Sequence, residues 1–360
     1  MNAVTYDLKY ELSVTTCVDS ILHKIETRLG EKLTDYFPNL NGGACSVECV
    51  KLRRFAYSTV YFFRINSKCN VSETSGIVVK IFAKQFGRHD IPGAQYSALC
   101  SVWPVFKNSF AFGLPRPLDF IPELPALVME QVQGVPLQKM FWTIGLIPGR
   151  FGEVVQACHQ SGKWLKHFHR GTDTTPRPLD LLQKRDGAIE NFVSLERFGF
   201  SKALLRRVRA SIDDKAHRLA GVEMPTALVH GDFTVDNILV NKERYFAIDL
   251  TGRDINAVFH DLASFLNSLN LMRLSLPLPA SKTRRCGEAF LTGYFGVESF
   301  NRMAVDFLIL TGRVSVALEI LSRRGDRIIA RWWMRQFFER IIGECLDERK
   351  AVNEVANAEL

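Results

Sequence analysis

The sequence predicts an α+β chain of two lobes, a small antiparallel-sheet N-lobe followed by a larger helical C-lobe. Three observations predict it. Residues 46–82 consist of short β-rich runs, helical periodicity dominates from about residue 137 onward, and that helical part is interrupted once, by an apolar stretch crowded with polar groups at 227–250. A chain of 360 residues can hold one large core or two smaller ones, and the length favours two lobes.

The elements follow in order. "VDSILHKIETRLGEKL" (18–33) sets Ile21, Leu22, Ile25 and Leu29 at helical spacing before a break at "YFPNLNGGA", so residues 1–44 read as an N-terminal helical extension and linker. "STVYFFRI" and "GIVVKIFA", separated by the polar "NSKCNVSETS", predict antiparallel strands in an N-lobe over 45–131. The apolar run in "LPALVMEQVQGVPL" (124–137) ends in a glycine and closes that lobe. A helical C-lobe over 132–350 includes "EVVQACHQSGKWLKHFHR" (153–170) and "RIIARWWMRQFFERII" (327–342), and 351–360 form a tail. No repeat or low-complexity tract interrupts the pattern.

Composition narrows the classes. With 47% hydrophobic and 23% charged residues the chain resembles an ordinary globular protein, and no apolar run approaches a bilayer crossing. The start "MNAVTYDLKYELSV" lacks the hydrophobic middle of a secretory signal, so a cytoplasmic location is expected. Eight cysteines without a CxxC pair read as buried free thiols. The net charge of +8 attracts anions without choosing between nucleotide, acidic substrate, nucleic acid and membrane.

The interruption "ALVHGDFTVDNILVNKERYFAIDL" (227–250) reads as a loop at 230–237, a strand at 238–240, a turn "NKER" and a strand "YFAID" ending on Asp249. Asp232 and Asn237 share the loop, and the hairpin is expected to return Asp249 beside them. Converging carboxylates repel and are costly to desolvate, so such a set usually holds a cation or a proton. Magnesium suits these hard oxygens, and no His/Cys set has zinc spacing. His-x-Asp, Asn five residues after the Asp, and a further Asp a dozen residues on is the order of the kinase catalytic loop and its metal-binding aspartate. In that template the roles fall on Asp232 as base and on Asn237 and Asp249 as magnesium ligands.

"HGDFTVDNILV" followed by "AIDL" resembles the aminoglycoside phosphotransferase and choline kinase-like enzymes, which carry HGD where protein kinases carry HRD. The resemblance covers most of 45–270 and implies a protein kinase-like fold with ATP and Mg2+ as cofactors. It makes Asp232 catalytic, with His230 beside it orienting the loop. Lys80 in "GIVVKIFAK" matches the lysine that pairs with the nucleotide phosphates, whereas Lys84 reads as an ordinary edge lysine. "LVMEQVQG" resembles the strand entering the hinge, whose backbone from Glu130 to Val132 would bond the adenine edge. "WLKHFHR" resembles the helix with a leucine-histidine pair; His167 and His169 lie about 200° apart on a helix, cannot clip one metal, and leave His169 structural. "HDLASFL" makes Asp261 a scaffold residue bracing the catalytic loop.

Three departures accompany the resemblance. The phosphate-covering hairpin "RRFAYSTVYFFRI" (53–65) has no glycine, leaving Ser58 and Thr59 to offer hydroxyl and backbone donors. In "AQYSAL" Gln95 occupies the position of a glutamate that would ion-pair with the strand lysine, so it can only hydrogen-bond Lys80. "NAVFHDLA" replaces Gly-Asp-Pro before the DLA segment.

Lys and Arg outnumber Asp and Glu in residues 271–360, which disfavours a polycationic acceptor. Arg327, Arg331 and Arg335 recur at four-residue steps and read as a solvated basic face of a packed helix, with contact to anionic lipid or a glycolipid as the sharper alternative. No nucleic-acid-binding module and no G-x-x-x-x-G-K-[ST] loop occurs, so nucleic acid is not expected as a partner. The resulting expectation is an ATP- and magnesium-dependent phosphotransferase acting on a hydroxyl of a small molecule such as a sugar, amino alcohol, glycan or glycolipid precursor. The alternatives are a nucleotide-binding scaffold that has lost turnover and an AMP transferase on the same fold.

Overall fold

The computed structural model describes residues 11–40, 45–55, 57–67, 76–83, 91–172, 175–178, 181–252, 255–323 and 328–358. Its chain divides into two compact units, one formed by 1–135 with 239–250 and the other by 136–238 with 251–360. In the first, helix α1 (Glu11–Tyr36) precedes strands β1 (Cys45–Arg54), β2 (Ser58–Ser67) and β3 (Gly76–Phe82), then α2 (Ile91–Phe106), β4 (Phe112–Gly113), β5 (Pro117–Ile121), β6 (Ala126–Glu130) and β7 (Val135–Pro136). The main sheet runs β1-β2-β3-β6-β5, every pair antiparallel.

The period-2 apolar residues Tyr61, Phe63, Ile77, Val79, Ala126 and Val128 face one core with Ile25, Leu29, Leu33, Tyr36 and Leu40. Residues 25, 29 and 33 lie one turn apart on α1, so a single helical stripe meets the sheet. Each such side chain stabilises by roughly 1.5–3 kcal/mol on full burial. Charge pins the same helix. The Asp119 carboxylate on β5 accepts a hydrogen bond from Tyr36 Oη at 2.8 Å and meets Arg28 at 3.2 Å and Lys32 at 3.5 Å. Helix α1 is therefore the cover of the sheet, and the division expected at 44/45 falls inside a single unit.

The second unit opens with α3 (Leu137–Thr143) and α4 (Phe151–Arg170), followed by β8 (Arg177–Pro178), α5 (Leu181–Arg197), α6 (Lys202–Leu219), β9 (Glu223–Met224) and β10 (Thr226–Leu228). After the hairpin β11 (Ile238–Asn241) and β12 (Arg244–Ala247) come β13 (Ile255–Ala257), α7 (Phe259–Ser275), α8 (Ala280–Phe295), α9 (Arg302–Arg323) and α10 (Ile328–Ala358). The hairpin belongs to the first unit, in a small sheet ordered β4-β12-β11-β7. Hence the boundary expected at 131/132 misses a return of the chain.

Helix α7 buries residues all round, including Phe259, Leu262, Phe265, Leu266 and Leu269, as a central helix does. Helices α4 and α8 run side by side so closely that a Cβ on Gly162 would lie 2.1 Å from Phe290 O, and one on Gly293 2.0 Å from His159 O. Cys158 and Cys286 are buried free thiols, whereas Cys45, Cys49, Cys100 and Cys345 are half-buried. Of the expected basic stripe, Arg327 and likewise Lys84 lie outside the described residues. Arg331 stacks on the Phe198 ring at 5.6 Å and Arg335 donates to Gly199 O at 3.1 Å, so these two arginines tie α10 to the end of α5 instead of forming a solvated row. Among the described residues no helix is long and apolar enough to cross a membrane.

Candidate functional site

The loop between β10 and β11 is built around one buried carboxylate. Asp261, in the first turn of α7, accepts the backbone N–H of His230 at 2.6 Å and that of Gly231 at 2.9 Å. Its Oδ2 also lies 3.0 Å from His169 Nε2, while His169 Nδ1 meets Tyr294 Oη at 2.9 Å. Burial works to raise the Asp261 pKa, but the hydrogen bond and charge of His169 and the donors of the loop prevail, holding it below the ordinary carboxylate range. Burial, then the Asp261 charge, raises that of Tyr294. Asp261 thus braces the loop and His169 braces Asp261; Tyr294 is the member of this relay with no signal in the sequence.

Gly231 takes φ +84°, a left-handed conformation, and a Cβ there would lie 2.6 Å from Thr251 Oγ1 and 2.7 Å from Gly252 N. Two hydrogen bonds explain the approach: His230 O accepts the N–H of Thr251 at 2.9 Å and that of Gly252 at 2.8 Å. The glycine of HGD is therefore required by backbone packing. The His230 ring is wholly buried, edge-on to Trp164, Phe168 and Phe233, and its Nδ1 accepts the Asp232 N–H at 3.4 Å. Enclosed this way, His230 shapes the loop.

Asp232 is half-buried. The Asn237 amide nitrogen donates to its backbone oxygen at 2.9 Å and to its carboxylate Oδ2 at 2.8 Å. Those two bonds use the nitrogen, so the amide oxygen is the atom Asn237 has for a cation. Phe233, buried against Phe265 and Phe290, anchors the loop from below.

In the first unit, Lys80 stands opposite Val60 and Leu127 in the sheet. Its ammonium is ion-paired with the Asp249 carboxylate and lies 4.9 Å over the Phe82 ring. Asp249 itself takes φ +62°, a left-handed conformation that a residue with a Cβ adopts at a cost of roughly 1–2 kcal/mol. The hydrogen bond expected from Gln95 to Lys80 is not among the described contacts; Gln95 is buried on α2. A full charge outcompetes an amide dipole for a half-buried ammonium.

Ser58 and Thr59 open β2 opposite Phe82 and Ile81, next to the Lys80 pair. The glycine-free turn before them is closed by Phe55 N–H to Ser58 O at 2.8 Å and exposes Phe55 and Tyr57. At the end of β6, Glu130 donates its N–H to Arg116 O at 2.9 Å and Gln131 to Gly76 O at 2.8 Å, so the sheet engages both donors. The Glu130 carboxylate pairs with Arg116 at 2.8 Å. Among the described residues Val132 is the first of this stretch whose N–H has no backbone partner.

Among the described residues no group of three or more His, Cys, Asp or Glu is placed to hold a metal. The oxygens of Asp249 and Asn237 are hard donors, the chemistry that suits magnesium, which takes few ligands from protein and the rest from water and phosphate.

Residues 110–304, more than half of the chain, match the family model described as phosphotransferase enzyme family. No curated protein is a significant match. Among solved structures, a glucosamine kinase in complex with glucosamine, ADP and inorganic phosphate is similar at TM-score 0.59 and 19% identity, covering 86% of this chain and 84% of that one. A choline/ethanolamine kinase family protein from Mesorhizobium loti follows at TM-score 0.53 and 17% identity, covering 89% and 94%. The GDP complex of aminoglycoside 2'-phosphotransferase-IIIa aligns at TM-score 0.52 and 16% identity, covering 91% and 99%. These similarities establish a kinase-like fold, and the extent of the family match, together with the HGD loop, makes this chain a member of the phosphotransferase enzyme family.

Proposed function

We propose that the protein transfers the γ-phosphate of ATP, with magnesium, to a hydroxyl of a small molecule. The observation that carries this reading is the Asp232 carboxylate, held by the Asn237 amide on a loop whose two preceding N–H groups are fixed by buried Asp261. A carboxylate so oriented costs little to reorganise, and phosphoryl transfer depends chiefly on such positioning.

Asp232 accepts the proton of the acceptor hydroxyl as its oxygen bonds to the γ-phosphorus; the bond to the β-γ bridging oxygen breaks, and ADP leaves. Lys80 steadies the nucleotide phosphates, with Ser58 and Thr59 as further donors. Asn237 and Asp249 would hold magnesium, which would supply positive charge against the phosphates. Val132 N–H and the Glu130 carbonyl are the adenine contacts. Gln95 supports α2 without holding Lys80. His230 positions the loop and is not a catalytic residue.

Relatives of this fold named for glucosamine, choline or an aminoglycoside support a small hydroxyl-bearing acceptor. The excess of Lys and Arg in 271–360 argues for a neutral or anionic one over a polycation. The test incubates wild type and Asp232→Asn with γ-labelled ATP, magnesium and a fractionated metabolite and lipid extract, with α-labelled ATP in parallel. One labelled fraction, reduced about 10²–10⁴-fold in the variant, is expected. Label only from the α position means AMP transfer, and ATP binding with no label from either position means a scaffold without turnover; either overturns the reading.

A further inference from the structure

The α10 arginines Arg331 and Arg335, for which contact with anionic lipid was the alternative reading, are engaged with Phe198 and Gly199, but another surface carries the properties that reading needs. At the end of α3 and in the link to α4, Trp142, Leu146 and Ile147 stand 43%, 45% and 42% exposed within six residues. Residues 146–150 are exposed without a break, and Gly149 turns the chain at φ +81°, so these side chains sit on a tip. Behind the tip lies an open cavity of about 600 Å³, with Ile147, Pro148 and Phe151 on one wall and Ser281, Lys282 and Arg285 from the first turns of α8 on the other.

Among the described residues the cations in that cavity meet no counter-charge. The Lys282 ammonium lies 4.7 Å over the Phe151 ring and 3.4 Å from Gly145 O. Among the described residues neither Lys282 nor Arg285 is paired with a carboxylate. Nearby Arg150, by contrast, is neutralised by Glu153 through bonds of 2.6 and 2.9 Å. A tip of tryptophan, leucine and isoleucine beside unneutralised cations is complementary to a surface that is anionic outside and apolar within.

We propose that this face, the α3–α4 tip with the first turns of α8, docks on an anionic lipid bilayer, with a lipid phosphate between Lys282 and Arg285 and the tip in the headgroup layer. A bilayer fits better than a protein partner. A stable protein interface buries on the order of 1,200 Å² or more, whereas a three-residue tip offers little flat area but inserts readily into a soft interface. The proposal is independent of the phosphotransfer reading.

The full chain is sedimented with phosphatidylcholine vesicles, with and without phosphatidylserine. Retention on the serine-containing vesicles alone, reversed by salt, is expected. Replacing both cations, Lys282→Gln with Arg285→Gln, weakens it about thirtyfold, from about 1 kcal/mol per cation near the surface. Leu146→Ser with Ile147→Ser weakens it on the same vesicles, and the melting temperature of every variant is checked against wild type. A control pair on α10, Trp332→Ser with Trp333→Ser, retains binding. The proposal is overturned by absence of retention, by retention in both tip variants, by loss in the α10 pair alone, or by binding of soluble polyglutamate through Lys282 and Arg285 without vesicle retention.

Discussion

Replacing Asp261 with asparagine tests the bracing of the loop directly. The two carboxylate oxygens serve three donors: His230 N–H and His169 Nε2 at Oδ2, and Gly231 N–H at Oδ1. An amide keeps one oxygen, so its NH2 group must face at least the Gly231 N–H at 2.9 Å, donor against donor. One hydrogen bond to a charged acceptor is worth about 1.5–3 kcal/mol, and the group left unsatisfied is buried, so a loss of about 3 kcal/mol is expected. For a unit of this size that lowers Tm by roughly 6–12 °C. Hydrogen exchange in a peptide spanning 228–240 should accelerate, with a parallel fall in transfer activity. Folding lowers the Asp261 pKa, so its contribution is complete above the unfolded value of about 3.9 and is lost only as pH falls through the lower folded value. Unchanged exchange at 228–240 in the variant would refute the bracing argument, whatever happens to Tm.

Three further outcomes follow from the same geometry. Gly231→Ala should abolish transfer, because its Cβ meets the Gly252 backbone at 2.7 Å, whereas Gly149→Ala, at similar φ but in open space, should cost only about 1 kcal/mol and spare activity; equal effects in chemical denaturation and turnover would remove the argument from close approach. Burial first, then the Lys184 charge, lowers the His260 pKa to about 4 against an opposing pull from Asp261. The unfolded chain therefore takes up this proton before the folded one, and stability should fall from about pH 6.5 downward, by on the order of 2 kcal/mol at pH about 5, with His260→Gln flattening that slope in urea titrations. Asp119→Asn should loosen α1 by about 1–2 kcal/mol, seen as faster exchange in residues 20–40 with the exchange of 228–240 unchanged.

How much was legible in the sequence depends on how far apart the interacting groups lie. The spacing of His230, Asp232, Asn237 and Asp249 is a local pattern, and the loop precedes a hairpin as expected, though the second strand ends at Ala247, two residues short of the expected Asp249. Asp261 was readable too, since "HDLASFL" resembles a known scaffold segment, and its carboxylate does hold the loop. Gln95 shows the limit of such a pattern. Its place in a local pattern suggested a partner for Lys80, but the ion pair comes from Asp249, a full charge far along the chain. Helix α1 shows the same limit: its apolar stripe was visible, while Asp119, which pins Arg28 and Tyr36, looks like any acid in "RPLDFI". Periodicity likewise set Arg331 and Arg335 on one stripe without indicating that Phe198 and Gly199 cover it.

Backbone conformation is the other quantity absent from a pattern of side chains. Gly231 and Asp249 both adopt positive φ, one without strain and the other with it. The glycine lets His230 O receive two N–H groups from Thr251 and Gly252, the residues that follow the strained aspartate and Leu250. Thus Thr251 and Gly252 are tied to the loop that carries Asp232, and Asp261 holds the same loop through the N–H groups of His230 and Gly231. Gly231 is therefore required by residues 20 and 21 positions further along the chain, a dependence that a short sequence motif carries without showing it.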